Sequence, residues 1–342
     1  MARLYAPLAF ILILLPCDLL YADAAYQPAE NLSDKAEISL ITGDPGKALY
    51  TRFGHSAIRV HDPEKGIDLV YNYGTFNFNE PGFYTNFLKG KLRYFLSRYE
   101  FRRMLIEYRY FNQTLYEQVL NLSHEEKLEV FEFLNRNYLP ENRYYLYDFF
   151  YDNCSSRIRD VFKQILGEKL EYRDDFIDEP KTLRQLLDIY IEDQAPWGDF
   201  GIDLVLGTPA DKTATSMDYM FLPYEMYRAF DHAVIHENGK ELPFVKKSHL
   251  LYEAKPEASE SRWFTPENLF WALFLLFLIV TVVGIRKQKY YAWIDVLLFL
   301  VLFLAGMIIF LLWFATDHIA TKTNYNLLWA SPVHLLSLFL LL

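Results

Sequence analysis

Cysteine is scarce in this sequence. Only Cys17 and Cys154 occur among 342 residues, so the chain has no multi-disulfide framework of the kind that holds small secreted domains together. No such framework is needed, because a chain of this length can bury a sizeable hydrophobic core by itself. We therefore expect one main soluble domain, in which a cysteine is of interest for its reactivity and not as part of a disulfide framework.

An excess of positive charge and the common catalytic motifs are also missing. The net charge is -10 and the sequence pI is near 5.4, which argues against a nucleic-acid partner, since phosphate binding needs clustered Lys and Arg. The sequence contains no HExxH, CxxC or GxSxG motif and no glycine-rich phosphate loop. The sequence therefore lacks the motifs that are typical of zinc proteases, serine hydrolases and NTPases. We expect neither a metal nor a cofactor.

The amino terminus has the pattern of an export signal. Arg3 supplies a positive start, residues 8–15 are apolar, and Ala22-Asp23-Ala24 is a small-x-small cleavage site. We predict that residues 1–24 are removed as a signal peptide. Cys154 is then the single cysteine of an exported chain, and an unpaired thiol in a compartment that permits disulfides is a candidate reactive group.

The rest of the sequence divides into a soluble part and a membrane part. Residues 25–253 show short alternating apolar runs followed by helical periodicity, a pattern that predicts an α+β domain. Residues 254–262 are polar and charged and contain a proline, as is typical of a linker. Residues 263–342 form the predicted transmembrane region.

Two apolar runs in that region, at residues 263–285 and 293–316, are long enough to cross a bilayer. Basic residues lie between them at 286–289, and the positive-inside rule places this loop in the cytoplasm. The soluble domain and residues 317–332 then lie on the outer side, in agreement with export. A third apolar run begins near residue 333 and reaches the last residue, 342, so we predict an incomplete third helix; the alternative is a tail lying on the bilayer.

The segment that follows Cys154 predicts an amphipathic helix. Apolar residues recur at helical spacing: Ile158, Val161, Phe162, Ile165 and Leu166. Gly167 is placed to end the helix, and Asp152 or Asn153 to cap its start, so Cys154 lies in the first turn. The positive end of a helix stabilises a thiolate by only about 0.3 to 1 kcal/mol. A histidine partner is therefore needed to activate the thiol.

His55 is the candidate partner. It opens an alternating apolar pattern, and a turn at residues 62–66 leads to a second strand at residues 69–73, so a β-hairpin is predicted. A histidine at a strand edge can face a helix N-terminus across a cleft. Its second ring nitrogen needs an orienting group, for which we predict Asn72 on the paired strand. There is a plainer alternative for each residue. His55 could be a strand residue whose ring nitrogens are hydrogen-bonded without a catalytic role, and Cys154 could be a small buried hydrophobic residue.

Further side chains are predicted to bind substrate. Tyr71 neighbours Asn72 on the hairpin, and Asn153 precedes the thiol, although helix capping is the plainer interpretation for Asn153. Polar and aromatic residues of the outer loop lie at the membrane surface on the side of the thiol, where they are expected to touch a lipid head group. These residues are His318, Asn324, Asn326 and Trp329. For the tryptophan, an interfacial anchor is the alternative.

The sequence carries four distinctive runs: FGHSAIRV, VYNYGTFNF, YDFFYDNCSSRIRDVF and TKTNYNLLWASP. These runs resemble the Lnb family of membrane-bound lipoprotein N-acyltransferases, and the resemblance extends over most of the mature chain. It implies that His55 and Cys154 take the family's histidine and cysteine positions. It also implies a circularly permuted papain-like (NlpC-like) soluble domain with C-terminal transmembrane helices, because a histidine strand before a cysteine helix is the order of such enzymes.

The resemblance further implies acyl transfer at a bacterial inner membrane, with the catalytic domain facing the periplasm. A membrane phospholipid would donate an acyl chain to Cys154 as a thioester, and the acceptor would be the N-terminal amine of a diacylglyceryl-cysteine lipoprotein. The wider permuted group also contains peptidases, so the fold alone does not choose the reaction. Two alternatives remain open: a membrane-tethered cysteine hydrolase of cell-wall peptide or lipid esters, and a non-catalytic envelope assembly module.

Overall fold

The structure is a computed structural model that describes residues 31–47, 51–77, 79–256 and 263–341. The predicted signal peptide, residues 1–24, lies outside the described residues. So do residues 257–262, which make up the greater part of the predicted linker.

Ten β-strands lie in the described part of the chain. They are β1 Glu37–Gly43, β2 His55–Asp62, β3 Ile67–Thr75, β4 Arg93–Glu100, β5 Leu115–Leu120, β6 Tyr144–Leu146, β7 Leu170–Glu171, β8 Val234–Glu237, β9 Lys240–Pro243 and β10 Val245–Tyr252. Seven form an antiparallel sheet in the order β10-β5-β1-β2-β3-β4-β6, and β7-β8-β9 form a second, smaller sheet. The antiparallel pairing of β2 with β3 confirms the hairpin predicted around His55.

Eleven α-helices lie in the same described ranges. They are α1 Phe83–Leu88, α2 Phe101–Tyr110, α3 His124–Tyr138, α4 Cys154–Leu166, α5 Leu183–Ile191, α6 Pro196–Val205, α7 Ser216–Tyr219, α8 Pro223–His232, α9 Pro266–Lys287, α10 Ala292–Phe314 and α11 His334–Leu341. The helix predicted after the cysteine is α4. Its C-cap is Gly167, as the sequence predicts, because glycine tolerates the positive φ of 57° at this position.

Helices cover both faces of the seven-stranded sheet, and this burial fixes the position of α4. On one face α4 packs on β2 and β3, where Ile158 and Phe162 join Ile58 in a fully buried core. On the other face α2 packs on β3 and β4, and Met104 shares a second core with Val70. Each square ångström of apolar surface removed from water stabilises this arrangement by roughly 25 cal/mol. The soluble part is therefore a mixed α/β domain.

The helices α9 and α10 are long and apolar enough to cross a membrane. They overlap the runs predicted at residues 263–285 and 293–316. Most of their apolar side chains are exposed, as is expected of helices that face lipid. Arg286 and Lys287 lie in the last turn of α9, where positive side chains also suit the negative end of the helix.

The segment between α10 and α11, residues 315–333, packs directly against the soluble domain and is termed the outer segment. The Ala320 carbonyl accepts a hydrogen bond from the Gly207 N–H at 2.8 Å, and the Asp317 N–H donates to the Lys89 carbonyl at 2.9 Å. Only glycine fits at position 207, because a Cβ there would overlap the carbonyl oxygen of Lys322. These contacts hold the soluble domain against the membrane region.

Candidate active site

Cys154 is the first residue of α4, and the hydrogen bonds of the preceding residue set its position. Asn153 Oδ1 accepts from the backbone N–H groups of Ser155 and Ser156, both at 2.9 Å. Ser156 Oγ in turn accepts from the Asn153 N–H at 2.8 Å, which completes a capping box. Asn153 Nδ2 donates to two backbone carbonyls of neighbouring segments at 2.8 Å. The thiol is thus held at the positive end of a firmly capped helix.

His55 is the first residue of β2 and meets Asn72 of β3. His55 Nε2 lies 2.8 Å from Asn72 Oδ1, and the same oxygen accepts from the Gly74 N–H at 2.8 Å. Because a backbone N–H can only donate, the amide must present its oxygen here, so Nε2 carries a proton and Nδ1 is left to face the thiol. Gly74 makes room for the imidazole, since a Cβ at that position would overlap the His55 ring.

A buried serine pair joins the strand that carries the imidazole to the helix that carries the thiol. Ser56 Oγ and Ser155 Oγ lie 3.1 Å apart, and both residues are fully buried. Ser56 follows His55 in the chain, and Ser155 follows Cys154. The hydrogen bond therefore fixes β2 against α4 directly beside both reacting groups.

The thiol and the imidazole shift each other's pKa toward a charged pair. Burial alone would raise the pKa of the Cys154 thiol, but the charge and hydrogen bond of His55, together with the Ser56 N–H, lower that pKa overall. Burial alone would lower the pKa of His55, but the charge of Cys154 and hydrogen bonds to Cys154 and Asn72 raise it overall. The arrangement favours a thiolate beside an imidazolium, which is the reactive form of a cysteine nucleophile.

The pair opens into a cleft with a volume of about 260 Å³. Two carboxylate residues, Asp44 and Glu107, and two tyrosines, Tyr94 and Tyr147, contribute to its lining. The two tyrosine rings stack with their centroids 4.2 Å apart. The cleft thus combines a nucleophile, a base, anionic side chains and aromatic walls, and these can present a substrate carbonyl carbon to the sulfur.

The structure brings Cys154, His55 and Asn72 together but leaves Tyr71 outside the cleft. Tyr71 is fully buried, and its hydroxyl donates to Asn135 Oδ1 at 2.8 Å. Neighbouring residues of a strand point to opposite faces, so Tyr71 enters the core while Asn72 lines the cleft. This placement contradicts the predicted contact between Tyr71 and substrate.

Asn153 does line the cleft, but its amide is already engaged. Its oxygen accepts two hydrogen bonds and its nitrogen donates two, all within the chain. The side chain therefore acts as the cap of α4, the plainer of the two roles considered from the sequence. Its contact with substrate stays a prediction.

The predicted residues of the outer segment do not line the cleft. Asn324 Nδ2 and Asn326 Nδ2 both donate to the Leu204 carbonyl, at 2.9 and 3.1 Å. Trp329 Nε1 donates to Asn326 Oδ1 at 3.0 Å, and His318 Nε2 lies 3.1 Å from a carbonyl oxygen of α1. These hydrogen bonds attach the outer segment to the soluble domain and brace it internally. A contact between these four residues and a lipid head group stays a prediction.

The sequence analysis did not identify four polar or aromatic residues that also line the cleft. Tyr147 stands shortly before Cys154 in an aromatic run, and this proximity is the one local signal that points to it. Asp44, Tyr94 and Glu107 come from segments that are distant in sequence, and only the folded sheet brings them to the cleft.

Among the described residues, one acidic group is compact enough to hold a cation. It consists of Asp188, Asp199 and Asp203. None of the three lines the cleft, and Asp203 is already paired with Arg184 at 2.7 Å. The expectation of a reaction without a metal therefore stays a prediction.

Two family models match the chain. The model of the Lnb N-terminal periplasmic domain matches residues 23–188, and the model of the Lnb transmembrane domain matches residues 258–342. The first match includes the thiol, the imidazole and the carboxamide of the cleft, and the second includes α9, α10 and the outer segment. No curated protein and no solved structure matches the chain.

Proposed function

The chain belongs to the Lnb family, and on that premise we propose that it is a lipoprotein N-acyltransferase that works through a thioester on Cys154. Family membership gives the chain a periplasmic domain, a membrane region and a role in lipoprotein processing. The observation that carries the proposal is the meeting of a helix-start thiol, an imidazole and a carboxamide in one cleft. The proposal includes a circularly permuted papain-like domain on the periplasmic side of the inner membrane.

In the first half-reaction, the Cys154 thiolate attacks an ester carbonyl carbon of a membrane phospholipid. A C–S bond forms, the ester C–O bond breaks, and the His55 imidazolium gives its Nδ1 proton to the departing lysophospholipid oxygen. The Cys154 N–H is the first of α4 and has no intrahelical acceptor, so it supports the oxyanion. Asn72 keeps the ring oriented while its charge changes.

In the second half-reaction, the N-terminal amine of a diacylglyceryl-cysteine lipoprotein attacks the thioester carbonyl carbon. A C–N bond forms and the C–S bond breaks, so that Cys154 leaves as a thiolate. The neutral His55 accepts the proton of the attacking amine, which restores the starting pair. Asp44 and Glu107 line the same cleft, where their carboxylate oxygens can accept hydrogen bonds from the N–H groups of the neutral acceptor amine and so orient its lone pair toward the thioester.

The membrane region supports lipid substrates over soluble ones. Both proposed substrates are confined to a bilayer, and α9 and α10 are long and apolar enough to anchor the chain in the same bilayer. Confinement raises the effective concentration of one substrate near the other without new contacts. A hydrolase would use the same thiol and imidazole with water as the acceptor, and an assembly module would not need the thiol.

Mass spectrometry of lipoprotein N-termini tests the proposal. In cells where this chain is the only N-acylating protein, the terminal cysteine should carry an amide-linked acyl chain, and Cys154→Ser should abolish it. Tyr325→Ala, a change at an exposed side chain, controls for expression and membrane insertion.

The outcomes separate the three candidate functions. Amide-linked chains that persist with Cys154→Ser would reject the thiol mechanism. Neither amide nor released fatty acid with the wild-type chain would favour the assembly module. Fatty acid released without amide formation would favour the hydrolase. Loss of the amide in Cys154→Ser, with normal acylation in Tyr325→Ala, supports the transferase.

A further inference from the structure

A second cavity adjoins the cleft of Cys154 and His55. Its volume is about 320 Å³, within the range of small-molecule sites. Phe53, Tyr147 and Phe149 line both cavities and so form a shared wall. The rings of Phe53 and Phe149 meet edge to face with their centroids 5.1 Å apart. The cleft that holds the reactive sulfur and the second cavity are thus neighbours across an aromatic wall.

The second cavity lies between the soluble domain and the membrane region. Leu187 of α5 and Ile202 and Val205 of α6 line one side. Residues 317–321, which follow directly after the membrane helix α10, line the other side. The cavity therefore has the catalytic cleft at one boundary and the end of a membrane helix at another.

The polar atoms around this cavity are engaged within the chain. Asp148 Oδ1 accepts from two backbone N–H groups at 3.0 Å, and Asp317 lies 3.5 Å from the Lys91 ammonium. The Thr321 hydroxyl donates to a carbonyl of α10 at 3.1 Å, and His318 Nε2 faces a carbonyl of α1. The surface left for a ligand is mainly aliphatic and aromatic. An apolar occupant suits such a lining, because it demands no new hydrogen bonds.

We propose that this cavity holds the acyl chain while its carbonyl carbon is attached to Cys154. The inference rests on the proposed thioester function and adds the site that determines which length of acyl chain is accepted. An apolar void of this volume forfeits dispersion contacts that a hydrocarbon chain restores. The chain enters from the bilayer side, passes residues 317–321 and reaches the sulfur beyond the shared aromatic wall.

The length of the accepted chain tests this assignment. The full-length protein is reconstituted in vesicles of ether-linked phospholipid, which contain no ester to attack, and these vesicles are doped with either a palmitoyl or an octanoyl ester phospholipid. No acceptor is added, so intact mass records the thioester alone. Val205→Trp narrows the cavity at a half-buried position. Val205→Trp should slow thioester formation with the palmitoyl lipid by about tenfold relative to thioester formation with the octanoyl lipid.

Two further variants make the result decisive. Ile189→Trp places the same ring at an exposed position of α5 outside the cavity and should leave the palmitoyl-to-octanoyl ratio unchanged. Val205→Ala enlarges the cavity and should raise the relative loading of palmitoyl, which keeps the proposal testable if the tryptophan variant fails to fold.

The proposed function and the proposed cavity fail in different ways. A wild-type protein that forms no thioester with either lipid would reject the proposed function. Normal thioester formation with the same chain-length ratio in both Val205 variants would reject only the cavity. Discrimination that appears only after an acceptor lipoprotein is added would assign the cavity to the acceptor's chains and overturn the proposal.

Discussion

Two polar regions of this chain are made of similar residues, and the structure uses them differently. At the start of α4, the thiol of Cys154, the imidazole of His55 and the carboxamide of Asn72 face one another in a cleft. In the outer segment, the carboxamides of Asn324 and Asn326 donate to a single backbone carbonyl of α6. The first region keeps polar atoms available for a reaction, and the second uses them to hold two parts of the chain together.

Residue type alone therefore does not identify a site. A buried carboxamide must satisfy its donors and its acceptor somewhere, and the identity of its partners decides its role. Asn72 accepts from the imidazole and so orients a group that can move a proton. Asn324 donates to a backbone carbonyl, an acceptor that takes part in no proton transfer. If this division holds, variants of the cleft should alter the chemistry, and variants of the outer segment should alter only its attachment.

The largest loss of acyl-transfer activity is expected for His55→Gln, because this change removes the base of the cleft. Without the imidazolium, burial dominates and the pKa of the Cys154 thiol rises, so alkylation by iodoacetamide should require a higher pH. Acyl transfer at neutral pH should fall by roughly a hundredfold to ten-thousandfold. Alkylation rates measured by mass spectrometry over a pH series check the shift, with Tyr325→Ala as the control.

The sign of the pH dependence follows from the two pKa shifts. The thiolate is lost as the pH falls through the lowered pKa of Cys154, and the imidazolium is lost as the pH rises through the raised pKa of His55. Both pKa values are those of the folded state. The pair's contribution to the free energy of unfolding is therefore also lost as the pH falls through the pKa of Cys154 and as it rises through the pKa of His55. An alkylation midpoint that His55→Gln leaves in place would show that the two groups do not interact.

The sequence predicts the reactive pair better than the outer segment, for a physical reason. The start of α4, its end at Gly167 and the hairpin of His55 depend on local periodicity and turn chemistry, which a sequence records. The docking of Asn324 onto Leu204 depends on residues that are far apart in the chain. The error at Tyr71 is of another kind, because strand alternation alone already sends neighbours of Asn72 to the opposite face.

A smaller loss of acyl-transfer activity is expected for Asn72→Ala, which leaves the base in place but removes the hydrogen-bond acceptor that orients it. Acyl transfer should fall by roughly tenfold to a hundredfold, because the ring of His55 then samples unproductive orientations. Asn72→Asp restores an acceptor and adds a negative charge, which should raise the pKa of His55 further. The alkaline limit of the pH profile should therefore move to higher pH in Asn72→Asp, an effect that a purely structural role would not produce.

The smallest effect on chemistry is expected for Asn324→Ala, and this variant tests the other side of the comparison. Asn324 is almost fully buried, so losing its hydrogen bonds should cost about 1 to 2 kcal/mol of docking free energy. Faster hydrogen exchange at the Gly207 N–H, which is bonded to Ala320, would report that loosening. Tyr325→Ala, at the exposed neighbouring side chain, should leave this exchange unchanged.

The pH profile of Cys154 alkylation should stay at its wild-type midpoint in Asn324→Ala, because no charge or hydrogen bond of the reactive pair changes. A shifted midpoint without faster exchange at Gly207 would place Asn324 in electrostatic contact with the thiol and remove the distinction between the two regions. Faster exchange with an unshifted midpoint would instead assign the carboxamides of the outer segment to attachment, and the chemistry to the cleft alone.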